Sequence, residues 1–171
     1  MKTEKNEIKI RISGLSSGVH EYSFAVEPAD LTLPEGFRSP ITVDAVVDKD
    51  TRQVYVRAKI SATSEFICDR CVAQFETTLP GDLSLVFVYD ALESGKFPED
   101  EVRVIAPETP YIDLTEDVRQ VVILSVPLKL LCREDCKGLC PQCGVDWNLK
   151  ECDCTPSGEI DSRWENLKNI L

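Results

Sequence analysis

The eight cysteines are the residues of this sequence best suited to chemistry, and they come in four close pairs. Two pairs have the spacing Cys-x-x-Cys, and the other two have three residues and one residue between their cysteines. Closely spaced thiols of this kind bind metal ions, form disulfides or carry out thiol redox chemistry. The pairs are Cys68 with Cys71, Cys132 with Cys136, Cys140 with Cys143, and Cys152 with Cys154.

The cellular compartment helps to choose between these chemistries. The N-terminal sequence MKTEKNEIKIRISGL has no apolar run typical of a signal peptide, and no stretch approaches the roughly 18 apolar residues of a membrane span. We therefore expect a cytoplasmic protein that does not associate with membranes. Thiols are kept reduced in the cytoplasm, so clustered cysteines there are more often metal ligands or catalytic thiols than disulfides.

Catalytic use of the thiols is disfavoured by their surroundings. A thioredoxin-like enzyme places its Cys-x-x-Cys at the start of a helix, whereas CDRC at 68–71 lies between two strand-like runs. A catalytic zinc keeps an open position and usually has histidine among its ligands, but His20 is the only histidine and is far from every cysteine in sequence. We expect structural zinc in a protein that is not an enzyme and has no small-molecule substrate. A thiol-disulfide oxidoreductase, or another metalloenzyme using the CxxC motifs, is the alternative.

Eight thiolates match two tetrahedral all-cysteine sites, so we expect one or two Zn²⁺ ions. In one arrangement, Cys68 and Cys71 share an ion with Cys132 and Cys136, and the last four cysteines form a separate C-terminal ribbon. In the other, the four cysteines from 132 to 143 share an ion, and the CDRC pair meets the last pair. Crowding between the second and third pairs favours the first arrangement without deciding the matter.

The first half of the chain has the pattern of β-strands, with apolar and polar residues alternating along short runs between turn residues. A turn is predicted at Pro80-Gly81, and the acidic, proline-containing residues 91–111 predict a long, mobile connection. The predicted strands are 7–12, 22–26, 41–47, 53–63, 75–79 and 82–90.

Two helices are predicted in the second half. The first begins near Asp113, which forms a capping-box-like start with Glu116 while Thr115 competes as the cap, and it ends at Pro127. Its apolar face comprises Val118, Val121 and Val122 with Ser125, and the second, C-terminal helix has Trp164, Leu167 and Leu171 on one face.

These elements predict an α+β fold: an antiparallel β-rich core with one main helix and a C-terminal zinc-ribbon-like module. We expect two domains. Residues 1–127 form the β-rich domain with the CxxC knuckle, the acidic loop and the main helix. Residues 128–171 form the cysteine-rich zinc-binding module and the C-terminal helix.

The negative charge of the chain argues against binding along a phosphate backbone. An acidic stretch is typical of a solvated loop or face, and the functional alternative is a surface that attracts a basic partner such as a ribosomal protein. Nineteen basic against 30 acidic residues give a net charge of −11, and residues 81–127 alone carry three basic and ten acidic groups. RNA binding would need a basic or aromatic platform. The nearest candidates are Arg52, Arg57 and Lys59 on one hairpin, and Arg70, Lys129, Arg133 and Lys137 around the cysteines, and their pattern is more typical of ordinary surface charges than of an RNA-binding patch.

Several motifs stand in a specific order in the second half: IDLTE at 112–116, a helix before Pro127, CKGLCPQCG at 136–144 and DSRWENL at 161–167. In this order they resemble the bacterial YceD-like family, the large ribosomal RNA subunit accumulation proteins. The resemblance covers about residues 10–171, and it departs at Ser162, where that family usually has proline.

The resemblance implies a non-enzymatic role in the accumulation or processing of 23S rRNA, and hence in the biogenesis of the large ribosomal subunit. It implies a ribosomal protein or a pre-ribosomal particle as the partner, with 23S rRNA contacted directly or indirectly.

Overall fold

The chain folds around a five-stranded sheet in the computed structural model, which describes residues 7–154. The strand order is β2-β3-β4-β5-β6, antiparallel throughout except that β6 runs parallel to β5. Strands β1 and β7 form a separate antiparallel pair. The elements are β1 Lys9–Arg11, β2 Gly18–Val26, β3 Ile41–Lys49, β4 Gln53–Ile67, β5 Gln74–Val88, α1 Ala91–Ser94, β6 Val102–Val104, β7 Tyr111–Asp113 and α2 Thr115–Leu124.

The core lies on one face of this sheet, because successive side chains of a strand point to opposite faces. Along β3 and β4 every second residue is buried, and the intervening residues are polar or partly exposed. The small sheet adds Ile10 of β1 and its partner Ile112 of β7, both with less than 3% of their surface exposed. The alternation predicted from the sequence therefore places the apolar side chains together in one core.

Helix α2 is attached to the first strand at its N-terminus. The backbone N–H of Ile8 donates to the hydroxyl oxygen of Thr115 at 2.9 Å, and the carboxylate of Asp113 accepts the N–H of Thr115 at 2.9 Å. The N-cap is Leu114, which makes no side-chain cap hydrogen bond. The predicted capping box of Asp113 and Glu116 is wrong, because the Glu116 carboxylate instead accepts hydrogen bonds from Arg119 and Gln120.

The same helix packs on the sheet where β5 has no side chain. A Cβ on Gly81 would overlap Cγ1 of Val121, so glycine permits the close approach of α2. The predicted turn at Pro80-Gly81 is wrong: β5 continues through both residues and pairs with β4 along its whole length. Gly81 allows the helix to pack closely and Pro80 is tolerated at the edge of the sheet, so neither residue turns the chain.

The segment 91–111, for which the sequence predicts a long, mobile connection, also carries short regular elements. It contains α1 and β6, and β7 begins at its end. The N–H of Val86 donates to Glu101 at 2.8 Å and that of Ile105 donates to Val88 at 2.9 Å. The Arg103 guanidinium also bonds both carboxylate oxygens of Asp117, which fastens β6 to α2. Three-residue strands are too short to show a period in the sequence.

The prediction of a mostly antiparallel sheet with few helices is confirmed. Within 7–154 the main helix is α2, and its Val118 and Val122 are buried as predicted. The second predicted helix, with Trp164, Leu167 and Leu171, lies outside the described residues. None of the helices in the described part of the chain is long and apolar enough to cross a membrane.

Candidate metal centre

The turn between β4 and β5 carries the first Cys-x-x-Cys. Two backbone hydrogen bonds close it: the N–H of Val72 donates to Cys68 at 2.9 Å, and the N–H of Cys68 donates to Ala73 at 2.9 Å. Val72 takes the left-handed conformation, with φ of 58°, which a β-branched residue rarely adopts. This tight turn brings both thiols to the tip of the long hairpin.

The two residues between these cysteines attach a distant segment to the turn. Asp69 donates its N–H to the carbonyl of Leu130 at 2.8 Å and accepts the Leu130 N–H on its carboxylate at 2.7 Å. The Arg70 guanidinium donates to the carbonyl of Cys136 at 2.7 Å, and its own carbonyl accepts the N–H of Leu139 at 3.2 Å. These bonds place the second pair of thiols against the first.

The close approach of the two segments depends on a glycine between the second and third cysteine pairs. Gly138 has φ of 80°, and a Cβ there would lie 3.0 Å from the carbonyl oxygen of Arg70. A side chain at this position would strain the backbone, which has a positive φ, and would also press against the backbone of the hairpin turn.

The result is the hairpin cluster, formed by Cys68, Cys71, Cys132 and Cys136, whose sulfurs all lie within 4.8 Å of one another. The Sγ atoms of Cys68 and Cys136 are 3.8 Å apart, and those of Cys71 and Cys132 are 3.7 Å apart. With Zn–S bonds of about 2.3 Å, the edge of a tetrahedron of sulfurs is about 3.8 Å. The donor set and its spacing therefore fit a tetrahedral zinc site.

The hairpin cluster is shielded from solvent. Cys68, Cys71 and Cys136 have 1%, 7% and 2% of their surface exposed, and Cys132 is half-buried. Apolar side chains of Phe75, Leu131 and Leu139 pack against the thiols.

A second turn repeats the geometry of the first. The N–H of Gly144 donates to Cys140 at 2.9 Å and the N–H of Cys140 donates to Val145 at 2.8 Å, as in the hairpin turn. Gly144 has φ of 73°, so it occupies the same left-handed position as Val72. The proline and glycine around the second Cys-x-x-Cys thus build the same knuckle without a strained β-branched residue.

This turn contributes to the C-terminal cluster, formed by Cys140, Cys143, Cys152 and Cys154. Its four sulfurs also lie within 4.8 Å of one another, and among the described residues neither cluster includes a histidine or a carboxylate. Cys140 is buried, Cys143 is exposed, and the other two thiols are half-buried. This cluster is therefore more open to solvent than the hairpin cluster.

Asn148 connects the two clusters. It lies between Cys143 and Cys152 in sequence, yet its side-chain amide donates to Sγ of Cys136 in the hairpin cluster at 3.4 Å. Its amide oxygen accepts the N–H of Lys137 at 2.8 Å. The indole of Trp147 donates to Sγ of Cys152 at 3.3 Å, within the C-terminal cluster. Such N–H donors stabilise thiolates and orient metal ligands.

The thiol pKa values differ in the same way within each cluster. Burial alone would raise the pKa of the Cys68 thiol, but the backbone N–H group of Cys132 and those of the turn lower it to about 6. Backbone N–H groups also lower the pKa of Cys140 to about 6. Burial and neighbouring thiols raise the pKa of Cys132 to about 12, and contact with Cys143 together with burial raises that of Cys154 to about 12. Four thiolates this close need a cation to offset their charge.

The structure groups the eight predicted cysteines as in the first arrangement, with the CDRC pair beside Cys132 and Cys136. Sequence reasoning missed the roles of Asp69 and Asn148, and it placed Arg70 among the RNA-binding candidates, whereas its guanidinium bonds a backbone carbonyl. The only signal for these roles was the position of each residue between two cysteines.

The model of one protein family matches residues 56–171, and its description is large ribosomal RNA subunit accumulation protein YceD. The match begins in β4 and includes all eight cysteines, the β4–β5 hairpin and α2. The chain belongs to the YceD family.

Two bacterial proteins are also similar to this chain. An uncharacterized protein of Mycobacterium tuberculosis H37Rv is 33% identical over 132 residues, which is 77% of this chain and 62% of the relative. YlbN of Bacillus subtilis, also uncharacterized, is 28% identical over 156 residues, covering 88% of this chain and 87% of YlbN. The chain thus spans less than two thirds of the length of the mycobacterial relative.

A plant relative carries the family's name. The chloroplastic large ribosomal RNA subunit accumulation protein YCED homolog 1 of Arabidopsis thaliana is 38% identical over 64 residues, 37% of this chain and 20% of that protein. No solved structure matches this chain.

Proposed function

We propose that this protein is a non-enzymatic factor in the accumulation or processing of 23S rRNA, and hence in the biogenesis of the large ribosomal subunit. The observation that carries the proposal is the family match over residues 56–171, because the description of that family names the accumulation of large-subunit rRNA. The name of the Arabidopsis relative supports the same role.

Each cysteine cluster holds one structural Zn²⁺ in this proposal, through all eight cysteines. The four-sulfur donor sets and the sulfur distances of 3.7 and 3.8 Å in the hairpin cluster support it. When bound, zinc supplies a rigid tetrahedral link between chain segments. The protein's own contribution is to position the thiols through the two knuckles, to donate N–H groups to sulfur and to exclude water from the hairpin cluster.

The zinc sites would organise the chain as a β-rich domain at 1–127 and a ribbon-like, cysteine-rich module at 128–171. The hairpin cluster takes two thiols from each part, so its ion would hold the module to the sheet. The ion would link the two parts of the chain much as a disulfide between the same positions would, because both close the same loop.

The partner in this proposal is a ribosomal protein or a pre-ribosomal particle in the cytoplasm, with 23S rRNA contacted directly or indirectly. The excess of carboxylates supports a basic protein partner. Some of the basic side chains are already used within the fold: Arg70 bonds Cys136, Arg103 bonds Asp117, and Lys49 donates to the carbonyls of Ile12 and Leu15.

The alternative function is a thiol-disulfide oxidoreductase, and the lowered pKa values of Cys68 and Cys140 are the observation in its favour. Two facts oppose it. Neither Cys-x-x-Cys begins a helix among the described residues, and Cys68 and Cys71 are too deeply buried for a thiol of a substrate to reach.

Cells that lack the gene provide the test. We expect the ratio of 23S to 16S rRNA to fall, to be restored by the wild-type chain, and not to be restored by Cys136→Ser. The control is His20→Ala, which changes the only histidine and should restore the ratio fully. An unchanged ratio in the deletion strain would overturn the proposed role.

A further inference from the structure

One long edge of the sheet has no strand against it for most of its length. β4 covers one side of β5 from Gln74 to Val88, but on the other side β6 pairs only with residues 86–88. Within 7–154, residues 74–85 therefore have no paired strand on that edge. Unpaired backbone groups at such an edge bind an added strand readily.

The register shows which backbone groups face outward. The N–H of Val86 donates to Glu101 across the open side, and the β4–β5 pairing has no bulge from Gln53–Val88 to Ile67–Gln74. Because backbone groups alternate in direction along a strand, the N–H and C=O groups of Asp82 and Ser84 also face outward. Pro80 is the next residue whose backbone faces outward, and because it has no N–H it interrupts the line of outward donors.

Asp82 and Ser84 also line a groove of about 710 Å³. Residues 82–85 line it along the strand, and α2 contributes Val121 and Leu124. Leu124 is 81% exposed, so the groove offers an apolar wall beside free backbone donors and acceptors. This combination suits an extended peptide, whose backbone pairs with the edge and whose side chains contact the wall.

The negative charge of the groove favours a basic peptide. Four of its carboxylates, on Asp44, Asp82, Asp100 and Glu101, have no ion-pair partner among the described residues, whereas Asp117 is paired with Arg103. The groove also contains Arg57 and Lys59, but the surrounding segment 81–127 has ten acidic and three basic groups. A lysine- or arginine-rich segment is complementary to this field.

We propose that the open edge of β5 between Asp82 and Leu85 takes an extended, Lys- or Arg-rich segment of a partner protein as an added strand. The inference rests on the proposed function for its setting and deepens it by naming the class of partner. A second copy of this chain is disfavoured as the occupant because its net charge is −11. RNA is disfavoured because these carboxylates would repel phosphates.

Amide hydrogen exchange of the full-length zinc-loaded protein tests the register directly. The N–H groups of Leu83 and Leu85 face β4 and should exchange slowly, whereas those of Asp82 and Ser84 should exchange rapidly. A synthetic peptide in which Lys alternates with Val and Thr should slow exchange at 82 and 84 by at least about tenfold, as expected for amides that gain a hydrogen bond. The same peptide with Glu in place of Lys should have no effect.

A matched pair of variants separates backbone pairing from other effects. Ser84→Pro removes one outward N–H without removing a bond to β4, as Pro80 already does in the same strand. We expect it to weaken binding of the Lys peptide about tenfold, the loss expected for one hydrogen bond and the displaced strand. Ser84→Ala loses the hydroxyl bond to Tyr55 but keeps the N–H, and it should bind like the wild type.

The proposal would be overturned if Ser84→Pro, shown to be folded by its amide spectrum, bound the Lys peptide as tightly as Ser84→Ala. It would also be overturned if single-stranded oligouridine, rather than the peptide, shifted the amide signals of 82–85. Neither result depends on rRNA levels in cells. Failure of this inference is therefore distinguishable from failure of the proposed function, which the deletion strain tests.

Discussion

The hairpin cluster and the C-terminal cluster have the same four donors and contain the same knuckle, but they differ in reach and in exposure. The hairpin cluster joins thiols about sixty residues apart in sequence, between Cys71 and Cys132, and most of its thiols are buried. The C-terminal cluster lies entirely within 140–154, and its Cys143 is exposed.

Two sites with identical donor sets would therefore have different effects on the stability of the fold. An ion that closes a long loop removes more chain entropy from the unfolded state than one that closes a short loop. Zinc in the hairpin cluster would stabilise the whole fold, because it joins the sheet to the following segment. Zinc in the C-terminal cluster would stabilise mainly the residues around it.

The largest expected effect comes from removing one thiol of the hairpin cluster, and the matched change in the C-terminal cluster is the comparison. Cys71→Ser in the zinc-loaded protein should lower the free energy of unfolding by about 3 kcal/mol or more, since it weakens the long-range link and buries an unpaired hydroxyl. Cys143→Ser should leave the main transition nearly unchanged. Urea unfolding followed by far-ultraviolet circular dichroism measures both. Equal losses in the two variants would contradict the comparison.

Chelation should release zinc from the C-terminal cluster before it releases zinc from the hairpin cluster. Because Cys143 is exposed and three of the four hairpin thiols are buried, a chelating dye should take zinc from the C-terminal cluster at least about tenfold faster than from the hairpin cluster. The absorbance of the dye would then rise in two phases, each corresponding to one ion per chain. Cys143→Ser serves as the control and should lose the fast phase alone.

Asn148, which belongs to the loop of the C-terminal cluster, should stabilise the hairpin cluster as well. Asn148→Ala removes its side-chain bonds to Cys136, Lys137 and Asp146 and should cost about 1–2 kcal/mol, while also accelerating the slow phase of zinc release. Trp147→Phe is the matched control, because it removes only the indole bond to Cys152. If the two variants changed the slow phase equally, Asn148 would not be a link between the sites.

The left-handed position after each Cys-x-x-Cys gives two further effects, and the smaller one is expected at Val72. Val72→Asn should stabilise the fold by about 0.5–1 kcal/mol, because Asn tolerates this conformation better than a β-branched residue and Val72 is 63% exposed. Gly144→Val should destabilise the C-terminal cluster by about 1–2 kcal/mol. Chemical unfolding reports the first change and the fast phase of zinc release the second. A loss of stability in Val72→Asn would contradict the equivalence of the knuckles.

The sequence predicted the parts of the molecule that depend on local chemistry. Alternation of apolar residues located β2, β3 and β4, and the helical spacing of Val118 and Val122 located α2. Cysteine spacing identified all eight clustered thiols. Each of these signals is a short-range pattern that can be recognised in a single sequence.

The rest depended on contacts between distant residues. Spacing alone fitted both groupings of the cysteines, and the fold decided between them by bringing Asp69 beside Leu130. Pro80-Gly81 indicates a turn locally, but the packing of α2 on Gly81 and the open edge at Pro80 make both residues compatible with a strand. Such requirements are set by tertiary structure and leave no local signal.

Counting metal ions and free thiols on the same sample tests the central claim most directly. Native mass spectrometry of the full-length protein, purified without chelators, should give two Zn²⁺ per chain, and a thiol reagent should find no rapidly reacting cysteine until the protein is unfolded. Fewer than two ions per chain, together with thiols that react in the folded protein, would contradict the assignment of both clusters as structural zinc sites.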